Sequence, residues 1–179
     1  MRKPSLPARR SLRLQGYDYR QNGAYFVTIC ACQNSCQFGQ IREGRMIAND
    51  LGIIVTECWQ HISQIRRGVE VDAYVLMQNH IHGIILKFDE ESADGGTQSY
   101  PGIDRAASNS HSDSLGVIVG QFKRAVTIRS KSLSQRPEQP IWQRNFYEHI
   151  IRNERSLDDI RKYIYENPAR WLEDSLYLQ

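Results

Sequence analysis

Residues 69–88 read "VEVDAYVLMQNHIHGIILKF", two apolar runs separated only by Gln78, Asn79 and His80. Both runs are rich in β-branched and aromatic residues, which predicts two long strands joined by a tight turn. Along a strand the side chains alternate between faces, so His80 and His82 project together while Ile81 points the other way. Two neutral imidazoles on one face suit a metal ion, because each offers one ring nitrogen as a lone-pair donor. The same spacing also fits two half-exposed histidines at a strand edge. The rest of the chain has to separate these readings.

Upstream, "AYFVTICACQ" (24–33) reads as a buried first strand, and "CQFGQIREGRMIAND" (36–50), with Gly39 and Gly44, as a short hairpin. Asn49 or Asp50 then caps a helix in which Ile54, Cys58, Ile62 and Ile65 recur at helical spacing as far as Arg66. Downstream, residues 89–113 are polar, Gly- and Ser-rich and net acidic, the composition of a long mobile loop. Leu115, Ile118, Phe122, Ala125 and Ile128 mark the stripe of a second helix. After a linker at 135–140, a short strand is expected around His149 to Arg152. Ser156 then caps a last helix from Leu157 to about Glu166, with Asp158 and Asp159 in its first turn.

The order is strand, helix, strand, strand, helix, strand, helix. That is the βαββαβ plan of a ferredoxin-like α+β sandwich with a central antiparallel sheet and an extra C-terminal helix. In this plan the histidine strand runs near the sheet centre, and the last helix can lie across its open face. A length of 179 residues fits one domain, expected over 21–172 and followed by a tail at 173–179.

Residues 1–20 form a basic arm: Arg2, Lys3, Arg9, Arg10, Arg13 and Arg20 stand against Asp18 alone, within a chain of net charge +3. Such an arm can grip nucleic acid or an anionic surface, or simply aid solubility. It has no continuous apolar segment of the secretory kind, and no run in the chain approaches a membrane span. Cys30, Cys32, Cys36 and Cys58 contain no C-x-x-C pair and read as small buried thiols rather than zinc ligands.

"KYIYENP" (162–168) places Tyr163 and Asn167 four residues apart, on one helical face, and points Tyr165 elsewhere. A helix docked over the sheet would present a phenol and an amide oxygen to the imidazoles. That ligand set leaves positions open on a divalent ion, as magnesium or manganese gripping a phosphate requires. Asn167 also precedes Pro168, where it serves equally as a C-terminal cap, and Tyr163 as an ordinary half-buried aromatic.

"YVLMQNHIHGIILKF" (74–88) followed by "WQRNFYEHIIRNERSLDDIRKYIYENPARW" (142–171) resembles the single-tyrosine His-hydrophobic-His transposases, above all the REP-associated tyrosine transposases. The opening "RRSLRLQGYDYRQNGAYFVTIC" (9–30) is similar too, so the resemblance spans roughly 9–172. Gln78 stands where relatives commonly carry proline, and Asn167 where insertion-sequence transposases carry glutamine. The resemblance implies that His80, His82 and Asn167 hold Mg²⁺ or Mn²⁺ and that Tyr163 is the nucleophile. It implies metal-dependent cleavage and rejoining of single-stranded DNA near a palindromic hairpin, through a 5′-phosphotyrosine, in the bacterial cytoplasm, by a monomer or homodimer.

DNA contacts are expected from Arg9, Arg10 and Arg13 of the arm, from Lys123 and Arg124, and from Trp142, Arg144 and Arg152. A non-catalytic single-strand-binding module is the rival class, as is a degenerate, domesticated transposase. The module reading lacks an aromatic platform in "AYFVTICACQ" and "IHGIILKF" and has no use for paired histidines.

Overall fold

The computed structural model describes residues 17–88, 114–133, 140–174 and 176–177. The arm residues Arg9, Arg10 and Arg13, the loop 89–113 and nearly all of the linker lie outside them. In chain order the elements are β1 (Gly23–Cys30), a hairpin of β2 (Gly39–Arg42) and β3 (Arg45–Ala48), α1 (Asp50–Ile65), β4 (Val69–Leu76) and β5 (His80–Lys87). Then follow α2 (Leu115–Arg129), β6 (Tyr147–Ile151) and α3 (Glu154–Glu166), which runs on into a 3-10 segment, Asn167–Glu173.

Strands pair antiparallel in the order β4-β5-β1-β6, so the histidine strand is internal, as the ferredoxin-like plan requires. His80, expected in the turn, is instead the first residue of β5 and sits opposite Cys30. Met77 N–H donates to the His80 carbonyl at 2.8 Å, which tightens the turn to Gln78 and Asn79.

The sheet separates two unequal layers. On one side, Tyr25, Val27 and Ile29 of β1 and Ile81 and Ile85 of β5 pack with Val55 and Trp59 of α1 and Ile118 and Phe122 of α2. Gly83 belongs there because Trp59 fills its side-chain space: a Cβ would fall 2.3 Å from the indole ring. On the other side, Phe26, Ile84 and Ile151 meet Leu157, Ile160 and Ile164 of α3. Arg161 ties that helix to β4 through Asp72 at 2.7 Å.

The expected helical stripes err at their ends. Ile128 is 52 % exposed and Val126 takes its place in the core. Six residues beyond Phe122, Ile128 has turned about 120° off the buried face. Ile65, the last residue of α1, is likewise exposed while Trp59 is buried. Only Cys30 and Cys58 are buried; Cys32 is half-buried and Cys36 exposed, contrary to the reading of four buried thiols.

Asn49 caps α1 as expected, accepting from the Gly52 N–H at 2.9 Å. The cap of α3 is Asn153 rather than Ser156, whose N–H it receives at 2.8 Å. The helix therefore starts at Glu154, and that residue, not Asp158 or Asp159, lies in its first turn. None of the described helices is long and apolar enough to cross a membrane.

Candidate active site

Alternation along β5 sends His80, His82 and Ile84 to the α3 side, where both imidazoles are buried beneath the helix. Each ring is held from behind. Asn79 Oδ1 lies 2.7 Å from His80 Nδ1, and the Asn79 amide nitrogen donates to the carbonyls of Asn34 and Leu176. Those two bonds fix the amide orientation, so His80 Nδ1 must be the donor and Nε2 keeps its lone pair. Thr28, directly across from His82 on β1, places its hydroxyl 2.8 Å from His82 Nδ1 and can accept in the same way. The two Nε2 atoms then face each other 3.0 Å apart. Adjacent ligands of an octahedral ion with bonds of about 2.1 Å stand about 3 Å apart, so this spacing fits a shared cation.

The helical segment above supplies the rest. Tyr163 Oη lies 3.2 Å from His82 Nε2, whereas Tyr165 is 88 % exposed and turned away. The alternative reading of Asn167, a cap pushed out of helical geometry before Pro168, does not describe its backbone, which keeps φ −56° and ψ −44°. Pro168 is accommodated because it falls in the first turn of the 3-10 segment, where no N–H is required. Asn167 is thus the C-cap of α3 with helical dihedrals, and its side chain is buried. Its side-chain amide donates to Asp174 Oδ2 at 3.2 Å, and its buried Oδ1 has no hydrogen-bond partner among the described residues. A buried carbonyl oxygen without a hydrogen bond, on an amide bonded to Asp174, suits a cation.

Asp174 is the residue that the sequence reading missed. It lies in the expected tail, yet its Oδ2 is 3.9 Å from the Nε2 of both His80 and His82. His80, His82 and Asp174 bring ligand atoms within 4.8 Å of one another and can hold a metal ion. The available signal was the spacing 163, 167, 170, 174, an extension of one helical stripe that is visible only if the helix is carried past Pro168.

Electrostatics agree with a cation site. Burial and the neighbouring His82 press His80 down to about 3, against a smaller opposing effect of Asp174, so its imidazole is neutral near pH 7. The short approach of His80 to Asp174 is therefore not an ion pair at that pH. Burial raises the Asp174 carboxyl, but His82, the Leu176 N–H, His80 and Asn167 outweigh it and bring it to about 2. The Tyr163 phenol is pushed up by burial and by Asp174, with Asn167 and Arg170 opposing. Without added positive charge it is a poor source of phenolate.

The expected DNA contacts divide. Arg124, Arg144 and Arg152 are exposed. Lys123 is not free for DNA: its ammonium donates to the carbonyls of Gln143 and Asn145 at 2.9 and 2.8 Å and lies over the Phe146 ring. Trp142 is not a free stacking platform either, because its ring packs against Phe38 and Phe122 at the main core.

No family model matches the chain. An uncharacterized protein of Haemophilus influenzae is 39% identical over 170 residues, covering 95% of this chain and 93% of that protein. Among solved structures, a REP-associated tyrosine transposase bound to a REP hairpin superposes with a TM-score of 0.57 at 19% identity, over 89% of this chain and 73% of that one. A putative transposase of Deinococcus radiodurans gives a TM-score of 0.48 at 14% identity, over 86% and 95% of the two chains. The chain thus belongs to one family with the Haemophilus influenzae protein, and it has the fold of the REP-associated tyrosine transposase.

Proposed function

We propose that the protein is a divalent-metal-dependent nuclease and strand transferase of the transposase kind, acting on single-stranded DNA beside a hairpin. The observation that carries this reading is the convergence of Tyr163 Oη, two imidazole Nε2 atoms and Asp174 Oδ2, with the buried Asn167 amide bonded to that carboxylate. A nucleic-acid-binding module has no need of such a constellation. The DNA partner is carried over from the transposase whose fold the chain shares, which was solved with a REP hairpin.

In this reading Tyr163 Oη attacks the phosphorus of a phosphodiester. The new O–P bond forms as the bond to the 3′ oxygen breaks, the phenol loses its proton, and the departing 3′ oxygen gains one. The products are a 5′-phosphotyrosine and a 3′-hydroxyl, and the reverse step rejoins strands without an external energy source. His80, His82 and Asn167, with Asp174 beside them, would hold Mg²⁺ or Mn²⁺, whose charge polarises the phosphate and offsets the raised pKa of the phenol. Asn79 and Thr28 keep both imidazoles turned with Nε2 inward.

The test compares two tyrosines two residues apart. Incubated with a 5′-extended single-stranded hairpin and Mg²⁺ or Mn²⁺, the wild-type protein should give a covalent adduct, seen as a shifted band on denaturing electrophoresis. Tyr163→Phe should eliminate the adduct, and Tyr165→Phe should leave it unchanged. An adduct that survives in Tyr163→Phe and vanishes in Tyr165→Phe overturns the assignment of the nucleophile. No adduct in the wild type with either metal would favour a binding module.

A further inference from the structure

The β2–β3 hairpin stands apart from the main sheet, and its alternation is regular. Ile41 and Met46 are half-buried, whereas Gln40, Arg42, Arg45 and Ile47 face solvent, with Ile47 48 % exposed. Arg42 and Arg45 are directly opposite each other in the register, on that outer face. Like charges in this position repel, and hairpins ordinarily avoid them. Neither arginine forms an ion pair with a described carboxylate. The repulsion is unrelieved within the described residues, a condition that a polyanion would correct.

The place of the hairpin is equally specific. Its turn glycine, Gly44 (φ 71°), lies against Ala169 of the 3-10 segment, where a Cβ would come within 3.3 Å of the Ala169 Cα. Ala169 lies between Asn167, whose amide donates to Asp174, and Arg170. The Arg170 side chain is 62 % exposed, and its carboxylate partners Glu166 and Glu173 are themselves exposed, so DNA can displace them. Arg42, Arg45 and Arg170 thus adjoin the segment that carries the site.

We propose that the outer face of the β2–β3 hairpin, with Arg42 and Arg45, and the neighbouring Arg170 form a rim that grips the single-stranded DNA leading to Tyr163. The arginines take the phosphates. Ile47, apolar and exposed on the same face, suits an unpaired base, which presents an apolar ring that a duplex keeps stacked. The proposal rests on the strand-cleavage reading and specifies which part of the substrate this surface holds.

The experiment measures binding of two DNA hairpins, one blunt and one with a 5′ single-stranded extension, to wild type, Arg42→Gln/Arg45→Gln and Arg42→Lys/Arg45→Lys. The wild type should bind the extended hairpin more tightly. The Gln pair should lose about tenfold on the extended hairpin alone, and its salt slope should fall by about 1.4, the value for two single-strand phosphates. The Lys pair should keep most of the affinity, because the charges remain, which shows that the hairpin is still folded. Unchanged binding by the Gln pair overturns the rim. An equal loss on both DNAs overturns it too, because the surface would then read the stem. A wild type that forms no adduct while the extension still binds through these arginines would sink the nuclease reading and keep the rim. An adduct with no dependence on Arg42 and Arg45 would do the reverse.

Discussion

The two faces of one strand, β5, differ as sharply as two different proteins would. Ile81, Gly83 and Ile85 look toward α1 and α2, where the layer is apolar and even the glycine is fixed by the ring pressed on it. His80 and His82, one residue away on either side of Ile81, look toward α3. There they meet Thr28, Tyr163 and Asp174, to which Asn167 donates. The period-two geometry of a strand lets adjacent residues serve separate ends, one face carrying stability and the other holding polar groups poised for chemistry. Burying two imidazoles and an amide oxygen without full hydrogen bonding costs free energy, and the apolar face offsets that cost.

The comparison breaks most visibly with a pair of neighbouring substitutions. His82→Ala should abolish the DNA adduct and the thermal stabilisation by Mn²⁺ while leaving the melting temperature without metal near that of wild type. Gly83→Ala should do the opposite. Its Cβ would collide with Trp59, so the protein should lose about 3 kcal/mol or more, the upper range for overpacking. Whatever remains folded should still cleave. Denaturant titration with and without Mn²⁺ checks both. Equal destabilisation by the two substitutions would show that the faces do not divide the labour.

A finer cut removes only what stands behind a ligand. Thr28→Val keeps the shape of the side chain and deletes the hydroxyl that lies 2.8 Å from His82 Nδ1. Mn²⁺ affinity should fall roughly 10–100-fold, the usual consequence of losing such a partner, with little change in apo stability. Titration of Mn²⁺ against intrinsic fluorescence or by calorimetry reads this directly. Unaltered affinity would mean that the His82 ring is oriented by packing against Phe26 alone.

How much of this was legible in the sequence follows from the range of each interaction. Strands, helices and the shared face of His80 and His82 are set by periodicities of a few residues, and those were readable. So was the placing of Tyr163, rather than Tyr165, on the helical face turned toward the histidines. What failed depended on contacts far away in the chain or on a local rule overridden by packing. The last helix was ended near Glu166 and the domain at 172, which left Asp174, two residues further on, in the expected tail. Ile128 looked like core because a stripe was extended by one turn too many. Lys123 read as a surface group because nothing local shows that its ammonium is taken up by the carbonyls of Gln143 and Asn145, and the contacts of Trp142 with Phe38 and Phe122 come from distant parts of the chain.

Lys123 gives the smallest and most discriminating effect, because two roles predict different outcomes. As an anchor it donates to two backbone carbonyls, and burial lowers its amine to about 8 from an ordinary 10.5. Below pH 8 both folded and unfolded chains hold the proton, and the folded chain bears the cost of a buried charge. Between about 8 and 10.5 the folded chain has released the proton while the unfolded chain keeps it. The unfolded state then binds more protons, so this group makes stability rise with pH across that window. Lys123→Met should remove that rise, measured as the difference between wild type and variant in denaturant titrations at several pH values. The substitution should also cost about 1 kcal/mol at pH 7 through the carbonyls it leaves, to which water has partial access. The salt dependence of hairpin binding should stay the same. A lowered salt slope with unaltered stability would return Lys123 to the DNA surface, and with it the helical side of the sheet to the business of binding.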